Sequence, residues 1–211
     1  GKSTLSSNIS KVDAIASLSL VSTDGSGVIA NLLTKASAAV ANGSSMNSAQ
    51  LSALGFGASS IAADGITGTL AIDNAVTSLD GLLGKTDAAA TVNVNAASFD
   101  AEGKGILSSN IAKVDAISNL ALASSEDATE IGNLLSVATG ATANATSMDA
   151  AQLNALSTGY LSIAASGITG TFTVDSSITT VSSLMSRVSS AANVTLDVAG
   201  MTTNNIAAAN S

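Results

Sequence analysis

Short stretches in which apolar residues alternate with polar or small ones recur along the chain and predict half-buried β-strands. In the first of them, Ser19 separates Leu18 from Leu20. The later pairs are Leu70 with Ile72, Val92 with Val94, Leu120 with Leu122, Phe172 with Val174, and Val194 with Leu196. Because successive side chains of a strand point to opposite faces, each pair should turn its apolar residues to one side of a sheet.

Between the predicted strands, apolar residues follow helical spacing, with neighbours three or four positions apart. One such pattern comprises Ile131, Leu134, Leu135 and Ala138. Another comprises Ile178, Val181, Leu184, Met185 and Val188. Strand and helix periodicities therefore alternate along the chain.

Four residues with side-chain oxygens precede helical patterns, where such an oxygen can accept a hydrogen bond from an unpaired backbone N–H. Asp73 and Asp175 stand before patterns that begin near Val76 and Ile178. Ser45 and Ser147 stand before apolar pairs that are Leu51 with Leu54 and Leu153 with Leu156. We expect all four residues to be helix N-caps.

Weaker Ala-rich strands are predicted near Val40 and Ala141, and with them strands recur about every 22 to 29 residues, a spacing that fits one strand and one short helix. A connection of that length can cross over and return parallel, so successive strands should form a parallel sheet with helices packed outside it. The predicted fold class is an α/β repeat solenoid of alternating short helices and parallel β-strands. The alternative is an all-β solenoid, because Ala- and Ser-rich segments have weak helix signals.

A shift of 102 positions aligns the sequence with itself without a gap, and 47 of the 102 residue pairs from Gly1 onward are identical. The best-matched blocks are LSSNI, KVDAI and IAAxGITGT. This self-similarity predicts a tandem repeat. We expect a first unit over residues 1–102 that begins within a repeat, a second over 103–204, and the start of a third over 205–211.

Composition excludes several function classes. Only 10% of residues are charged and the net charge is -8, so the clustered bases that bind nucleic acid are missing. There is no His and no Cys, which removes the usual general base, thiol nucleophile and zinc ligands. No apolar run reaches the roughly 18 residues of a membrane span. We therefore expect no enzyme, no catalytic or cofactor-binding residue, no nucleic-acid partner and no membrane span.

The segment GKST at Gly1–Thr4 has the form of the end of a phosphate-binding loop. Its counterparts 102 positions later are Gly103, Lys104, Gly105 and Ile106, which do not preserve the motif. We therefore predict no phosphate site here.

Asp-Gly steps at Asp24 and Asp64 could supply oxygen ligands to calcium, but neither an EF-hand loop nor a β-roll nonapeptide is present. Moreover, Asp64 and Asp80 become Ser166 and Ser182 in the second copy. Turns and helix caps are the favoured interpretation, and no metal site is predicted. Asp13 and Asp115 are retained in both copies and are interpreted as surface or cap-forming charges.

Gly68 and Gly170, each within an ITGT segment, are predicted to mark a bulge or tight bend.

The run from Thr169 to Thr173 places three hydroxyls on one strand face and resembles ice-binding solenoids, although such a run occurs once per 102 residues. Asn-x-Ser/Thr sequons, which chance can supply in so Ser- and Asn-rich a chain, begin at Asn8, Asn42, Asn144 and Asn193.

Three segments carry a wider resemblance: SMDAAQLNAL at Ser147–Leu156, SGITGTFTVD at Ser166–Asp175 and NVTLDVAGM at Asn193–Met201. With the repeat, they make essentially the whole chain similar to tandem segments of very large secreted bacterial surface proteins, such as adhesins and surface-layer or filament components. The resemblance implies a secreted or cell-surface location and a structural, self-assembling or adhesive role.

The alternative function is a solenoid module that binds glycan or ice, although the scarcity of aromatic residues argues against stacking on sugar rings. The expected partners are other copies or neighbouring repeats, end to end, because a repeat array buries its apolar faces only against neighbours. Surface glycans are a further expected partner. No cofactor is expected, and calcium lacks a supporting motif.

Overall fold

The computed structural model describes residues 1–209 and shows an α/β chain with parallel strand pairing. The chain divides into two compact units. The first comprises Gly1–Ser98 with Asn110–Asp115, and the second comprises Phe99–Ser109 with the chain from Ala116 onward. The repeat boundaries at residues 102 and 204 rest on sequence identity and stay a prediction.

In the first unit, helices and strands alternate. They are α1 (Lys2–Ser7), β1 (Leu18–Leu20), α2 (Ser26–Leu33), β2 (Ala39–Asn42), α3 (Ser48–Phe56), β3 (Ile61–Thr67), β4 (Thr69–Ile72), α4 (Leu79–Lys85) and β5 (Thr91–Asn95). Short 3-10 helices lie at Ile9–Lys11, Ala58–Ser60 and Ile111–Lys113.

The second unit has the same alternation. Its elements are α5 (Ala101–Ser109), β6 (Ala116–Ser118), β7 (Ala121–Leu122), α6 (Ala128–Val137), β8 (Ala138–Thr139), β9 (Ala141–Asn144), α7 (Ala150–Thr158), β10 (Ile163–Thr169), β11 (Thr171–Val174), α8 (Val181–Met185), β12 (Asn193–Leu196) and α9 (Thr203–Ala209). A 3-10 helix lies at Tyr160–Ser162. Several elements have a counterpart in the other unit at the repeat distance, as β9 has in β2 and β10 in β3.

Strands pair in parallel with the strand that follows the next helix, as expected. Leu18 of β1 pairs with Ala39 of β2, and Thr69 of β4 pairs with Thr91 of β5. Between β2 and β3 the register shifts, so that Ala39 pairs with Ile61 but Asn42 pairs with Thr67. One helix with its flanking turns completes each of these crossovers, which is why the strands return parallel after so short a connection.

The core lies between the strands and the helices. Leu20, Leu70 and Ile72 are at most 2% exposed on the inner side of the first unit's strands, and helix residues such as Leu32 and Leu54 are fully buried. Within each unit, each helix packs on the next, as α2 does on α3 and α3 on α4 in the first unit and α6 on α7 in the second. The all-β alternative is therefore wrong: the Ala- and Ser-rich segments form helices, because their Leu residues complete an apolar stripe against the sheet.

The helices α3 and α7 begin later than predicted. Their N-caps are Asn47 and Asp149, and each forms a capping box with the Gln three positions on. Ser45 and Ser147 have φ of 61° and 64°, so each serves as a left-handed turn residue before the cap. Their expected role as N-caps is wrong, because a tight turn separates strand from helix at both places.

Asp73 and Asp175 cap turns and not helices. The Oδ1 atom of Asp73 accepts the N–H of Ala75 at 3.0 Å, and that of Asp175 accepts the N–H of Ser177 at 2.8 Å. Helices α4 and α8 begin only at Leu79 and Val181. The prediction placed the helices too early, because a side-chain oxygen can equally bond to its own chain two residues on.

Three residues of the predicted helical patterns lie outside helices. Ala138 ends α6 with an extended backbone and begins β8. Ile178 lies in the turn before α8 and is 1% exposed, and Val188 forms a parallel bridge with Ile168. The side chains of Ala138 and Ile178 join the buried core from strand and turn positions, and that of Val188 is half-buried. Helical spacing alone cannot distinguish such positions from a helix.

The bend predicted at Gly68 and Gly170 is confirmed. Their φ angles are +89° and +94°, and each separates two strands, β3 from β4 and β10 from β11. A Cβ atom at Gly170 would overlap Oδ1 of Asn144 and lie 2.5 Å from Oγ1 of Thr146. Only glycine therefore fits this corner without displacement.

Candidate functional surfaces

Paired residues on the outward side of several strands are exposed and carry no charge, and we call these residues the outer strand face. In the second unit it contains Asn144 beside Thr169, Thr171 beside Asn193, and Thr173 beside Thr195, all exposed and in register. In the first unit it contains Asn42 beside Thr67, Thr69 beside Thr91, and Ala71 beside Asn93, also exposed. Hydroxyl and amide groups therefore stand side by side on neighbouring strands.

Strand pairing makes the polar surface around the Thr169–Thr173 run wider than the sequence indicated. The sequence predicts one hydroxyl row per repeat, but the register places polar residues of β12 and β9 next to that run. In the first unit, Ala71 occupies the position of Thr173, so the row there is shorter. The polar surface is a mixed Thr and Asn array and not a pure Thr ladder.

Buried glutamine side chains link neighbouring helices and turns, and the sequence analysis did not find them. Nε2 of Gln50 donates to the carbonyls of Ser22 and Asp24 at 2.8 and 2.6 Å. Nε2 of Gln152 donates to the carbonyls of Ser124 and Glu126 at 3.2 and 2.5 Å. Identical glutamines at the repeat distance, inside an apolar helix pattern, were the available signal.

Each unit also contains an ion pair at an equivalent place. Lys2 contacts Asp24 at 2.6 Å, with side-chain exposures of 34% and 11%. Lys104 contacts Glu126 at 3.2 Å, with exposures of 9% and 0%. Glu126 additionally accepts the backbone N–H of Ala123 at 2.7 Å. The second pair is thus a buried, hydrogen-bonded structural bridge.

The GKST segment offers no phosphate cradle. Lys2 to Ser7 form the short helix α1, and the ammonium group of Lys2 is engaged by Asp24. Its equivalent Lys104 is buried against Glu126. Both lysines therefore hold two elements together.

The acidic residues considered for calcium lie apart. Asp24 pairs with Lys2, and Asp64 pairs with Lys113 at 3.1 Å. Asp80 lies 3.4 Å from Nδ2 of Asn110. Among the residues that the structure describes, no three acidic side chains come together as a metal site would require.

Asp13 and Asp115 are both exposed, as expected for surface charges. Oδ2 of Asp115 also accepts the backbone N–H of Val92 on β5 at 2.7 Å, so this carboxylate caps a strand edge. The asparagines of the four sequons are all exposed. Asn42 and Asn144 also accept the N–H groups of Ser44 and Thr146 in turns.

Three of the shallow grooves formed by the described residues lie on the helix side. One lies between α6 and α7 beside Leu161, which is 75% exposed, and the other two flank Phe56, which is 73% exposed. Small residues line all three grooves, and no acidic or basic side chain is part of any lining. They offer apolar contacts and neutral hydroxyl groups.

The carboxyl group of Asp175 has a clearly shifted pKa. Its pKa lies below the ordinary value of 3.8, because the hydroxyl and the backbone N–H of Ser177 both donate to its carboxylate. This carboxylate thereby fixes the turn between β11 and α8.

We expect Ser177→Ala to raise the pKa of Asp175 toward its ordinary value, because the hydroxyl donor is lost. A lowered folded-state pKa stabilises the fold above the unfolded pKa, and this contribution disappears as pH falls through the folded value. The variant should therefore gain less stability from that carboxylate near neutral pH, and its difference from the unmodified chain should disappear as pH falls below the folded-state pKa. A ¹³C carboxyl titration by NMR measures the shift, with Ser176→Ala as the control; equal pKa values in the two variants would refute the assignment.

Searches against protein-family models and against curated proteins find no match to this chain. Within residues 1–209, no helix is long and apolar enough to cross a membrane. Because no related protein was found by these searches, the function has to be inferred from the repeat and the surfaces of the chain itself.

Proposed function

We propose that this chain is a structural, self-assembling or adhesive repeat module of an extracellular or cell-surface protein or filament, built as an α/β solenoid and without catalytic activity. In such a fold, each coil consists of one strand and the helix that follows it. Coils bury their apolar faces against neighbouring coils, and the stability of the array is roughly a sum over neighbours.

The observation that carries this proposal is the recurrence of the same contacts at the repeat distance. The glutamine links of Gln50 and Gln152, the lysine pairs of Lys2 and Lys104, and the glycine corners recur in the two units. The glutamine and lysine links join residues that are 28 and 22 positions apart, which is about the length of one coil. A scaffold of repeated coils accounts for the recurrence of the same contacts in both units.

The chemistry of the surfaces supports the same role. The residues of the outer strand face carry no charge, and no acidic or basic side chain lines the three grooves. A general acid, base or nucleophile needs a positioned partner, and these surfaces supply none.

A tandem insertion tests the solenoid. A second copy of residues 8–109 is inserted after Ser109, which preserves the Ser–Asn junction found at Ser7 and at Ser109. Four added coils at the ~4.8 Å spacing of strands should lengthen the particle by roughly 19 Å in small-angle X-ray scattering.

Circular dichroism of the insertion variant should show an unchanged proportion of helix. The unmodified chain, measured at the same concentration, is the control. If the radius of gyration increases only in proportion to roughly the 0.38 power of chain length, as it does for compact globules, the solenoid is contradicted.

The proposed location is the cell exterior, which the resemblance to surface-protein repeats supports. Antibodies raised against the chain should label intact native cells, and electron microscopy should place the label on a filament, lattice or surface layer. Labelling that appears only after the cells are opened would contradict this location.

A second candidate function is the binding of ice or glycan, and the outer strand face is the observation that favours it. Hydroxyls at Thr171 and Thr173 stand beside Asn193 and Thr195 on the neighbouring strand, with the regular spacing of a parallel sheet. Thermal hysteresis and glycan-array binding test it. Thr173→Lys should abolish either activity, whereas Ser136→Lys on the helix side should not.

A further inference from the structure

The chain contains one arginine and one tyrosine, and the two side chains lie against each other. The guanidinium carbon of Arg187 is 5.7 Å from the ring centre of Tyr160, which is within the range of a cation–π contact. Tyr160 begins the 3-10 helix after α7, and Arg187 comes two residues after the end of α8. The contact therefore joins two successive coils of the second unit.

The charge of Arg187 has no acidic partner in the part of the chain that the structure describes. Among residues 1–209, the salt bridges are those of Lys2, Lys104 and Lys113. The Nε atom of Arg187 is buried and has no hydrogen-bond partner among the same residues. A buried donor in a native protein normally has a partner, which can also be a water or an ion. Arg187 is thus a positioned cation whose hydrogen-bonding capacity is not used by the described chain.

The two units differ around Arg187 in a direction that favours an anion. From the first unit to the second, two carboxylates become hydroxyl groups, an ammonium group becomes a guanidinium group, and a methyl group becomes a phenol. The first unit therefore has one excess negative charge at these positions, and the second has one positive charge. The equivalent residues are Ala58 with Tyr160, Asp64 with Ser166, Lys85 with Arg187, and Asp87 with Ser189.

The residues that change lie around one backbone bridge of the second unit. The N–H of Ile168 in β10 donates to the carbonyl of Arg187 at 2.9 Å, and the N–H of Ser189 donates to the carbonyl of Ile168 at 2.7 Å. Ser166 lies two residues before Ile168, has a φ of 55° and is exposed. We call Tyr160, Ser166, Arg187 and Ser189 together the Arg187 site.

The equivalent place in the first unit is open to solvent as well, although further coils follow it. The side chain of Asp64 is 60% exposed, and Lys85 is only half-buried. Openness is therefore a property of this position in the coil.

The acidic residues of the second unit lie at the other ends of its helices. Each of them is in the connection from a strand to the next helix or in the first turn of that helix, whereas Arg187 lies in the connection from α8 to β12. They are Asp100, Glu102, Glu126, Asp127, Glu130, Asp149, Asp175 and Asp197.

We propose that the Arg187 site binds the carboxylate of an acidic sugar of the uronate class. The planar guanidinium group can donate two parallel N–H bonds to a carboxylate, which an ammonium group cannot do. The hydroxyls of Ser166 and Ser189 suit the hydroxyls of a sugar, and the ring of Tyr160 suits its apolar C–H groups.

The net charge of the chain narrows the ligand further. At a net charge of -8, the chain repels a densely charged polyanion. The site therefore fits a single acidic sugar within an otherwise neutral glycan. This inference rests on the adhesive form of the proposed function and names its ligand class.

The single arginine and the single tyrosine make binding directly measurable, because the chain contains no Trp. In a titration with methyl glucuronide, the one arginine Nε–H signal in the NMR spectrum should shift and saturate. The tyrosine fluorescence should change with the same dissociation constant. Methyl glucoside, which has the same ring without the carboxylate, should change neither signal. A glutamate with both ends capped, which offers the carboxylate on a peptide, should bind more weakly than the glucuronide.

Substitutions at equivalent positions of the two units assign the binding to this site. Arg187→Met should weaken glucuronide binding about tenfold or more, because the charged hydrogen bonds are lost. Arg187→Lys should also weaken it severalfold, because the charge remains but the planar fork does not. The control is Lys85→Met in the first unit, which should bind as the unmodified chain does. Circular dichroism establishes that each variant is folded.

Four results would overturn the inference. They are an arginine signal that does not respond to glucuronide, equal binding of the glucoside, full affinity in Arg187→Lys, and binding of the capped glutamate that is as tight as that of the glucuronide. The last result would assign the site to acidic peptides. If glucuronide does not bind while the tandem insertion lengthens the particle as expected, the ligand assignment is wrong and the solenoid proposal stands.

Discussion

Replacing Lys104 with Met is expected to lower the free energy of unfolding by about 3–5 kcal/mol. The substitution removes the ammonium group that faces Glu126, whose side chain is fully buried. The N–H of Ala123 and the hydroxyl of Ser125 still donate to the carboxylate, but its charge then has no counterion. Urea denaturation followed by circular dichroism measures the loss.

The matched control is Lys2→Met, at the equivalent position of the first unit. Lys2 is 34% exposed, so solvent already screens its attraction to Asp24, and we expect a loss of about 1 kcal/mol or less. The double variant Lys104→Met with Glu126→Gln should recover much of the stability, because it removes the buried charge. Equal losses for Lys2→Met and Lys104→Met would show that burial does not set the strength of these pairs.

Gly170→Ala is the second substitution with a large expected effect, a loss of roughly 3 kcal/mol. The backbone at +94° disfavours an L side chain, and the new methyl group would overlap Asn144 Oδ1 and meet Thr146 Oγ1 at 2.5 Å. Thr146 Oγ1 also accepts the N–H of Thr171 at 3.1 Å, so its displacement would break a link at the corner between β10 and β11.

Gly140→Ala separates the two causes of that loss. Gly140 also has a positive φ, +70°, but a Cβ atom there would meet nothing within 4 Å. The free energy of unfolding of this variant should therefore fall only by the cost of placing a side chain at a positive φ, roughly 1 kcal/mol. Thermal and urea unfolding of both variants gives the difference, and a loss at Gly140 as large as that at Gly170 would mean that the side-chain collisions are unimportant.

The architecture was largely predictable because the two periodicities are strong. Leu18 with Leu20 and Val92 with Val94 lie in strands as predicted, and the parallel pairing follows from the length of the connections. The helix starts were not predictable from single residues. Ser45 and Asp73 have the chemistry of N-caps, but each belongs to the turn that leaves a strand, and the choice depends on backbone angles set by the whole corner.

The surfaces were harder to predict than the fold. The Thr169–Thr173 run was visible in the sequence, but its neighbours Asn193 and Thr195 join it only through strand register. Register depends on the length of each crossover and on irregularities such as the shift between β2 and β3, which the alternation of apolar residues does not reveal. Gln50 was missed because a polar residue in an apolar helix pattern is normally assigned to the solvent side.

The outer strand face has a consequence for the environment in which the module can work. Its exposed side chains, among them Thr69, Asn93, Thr171 and Thr195, carry no charge. Mobile salt ions screen interactions between exposed charges, and these side chains have no charge to screen. The electrostatic part of any contact made through this face should therefore depend little on the salt concentration of the surroundings.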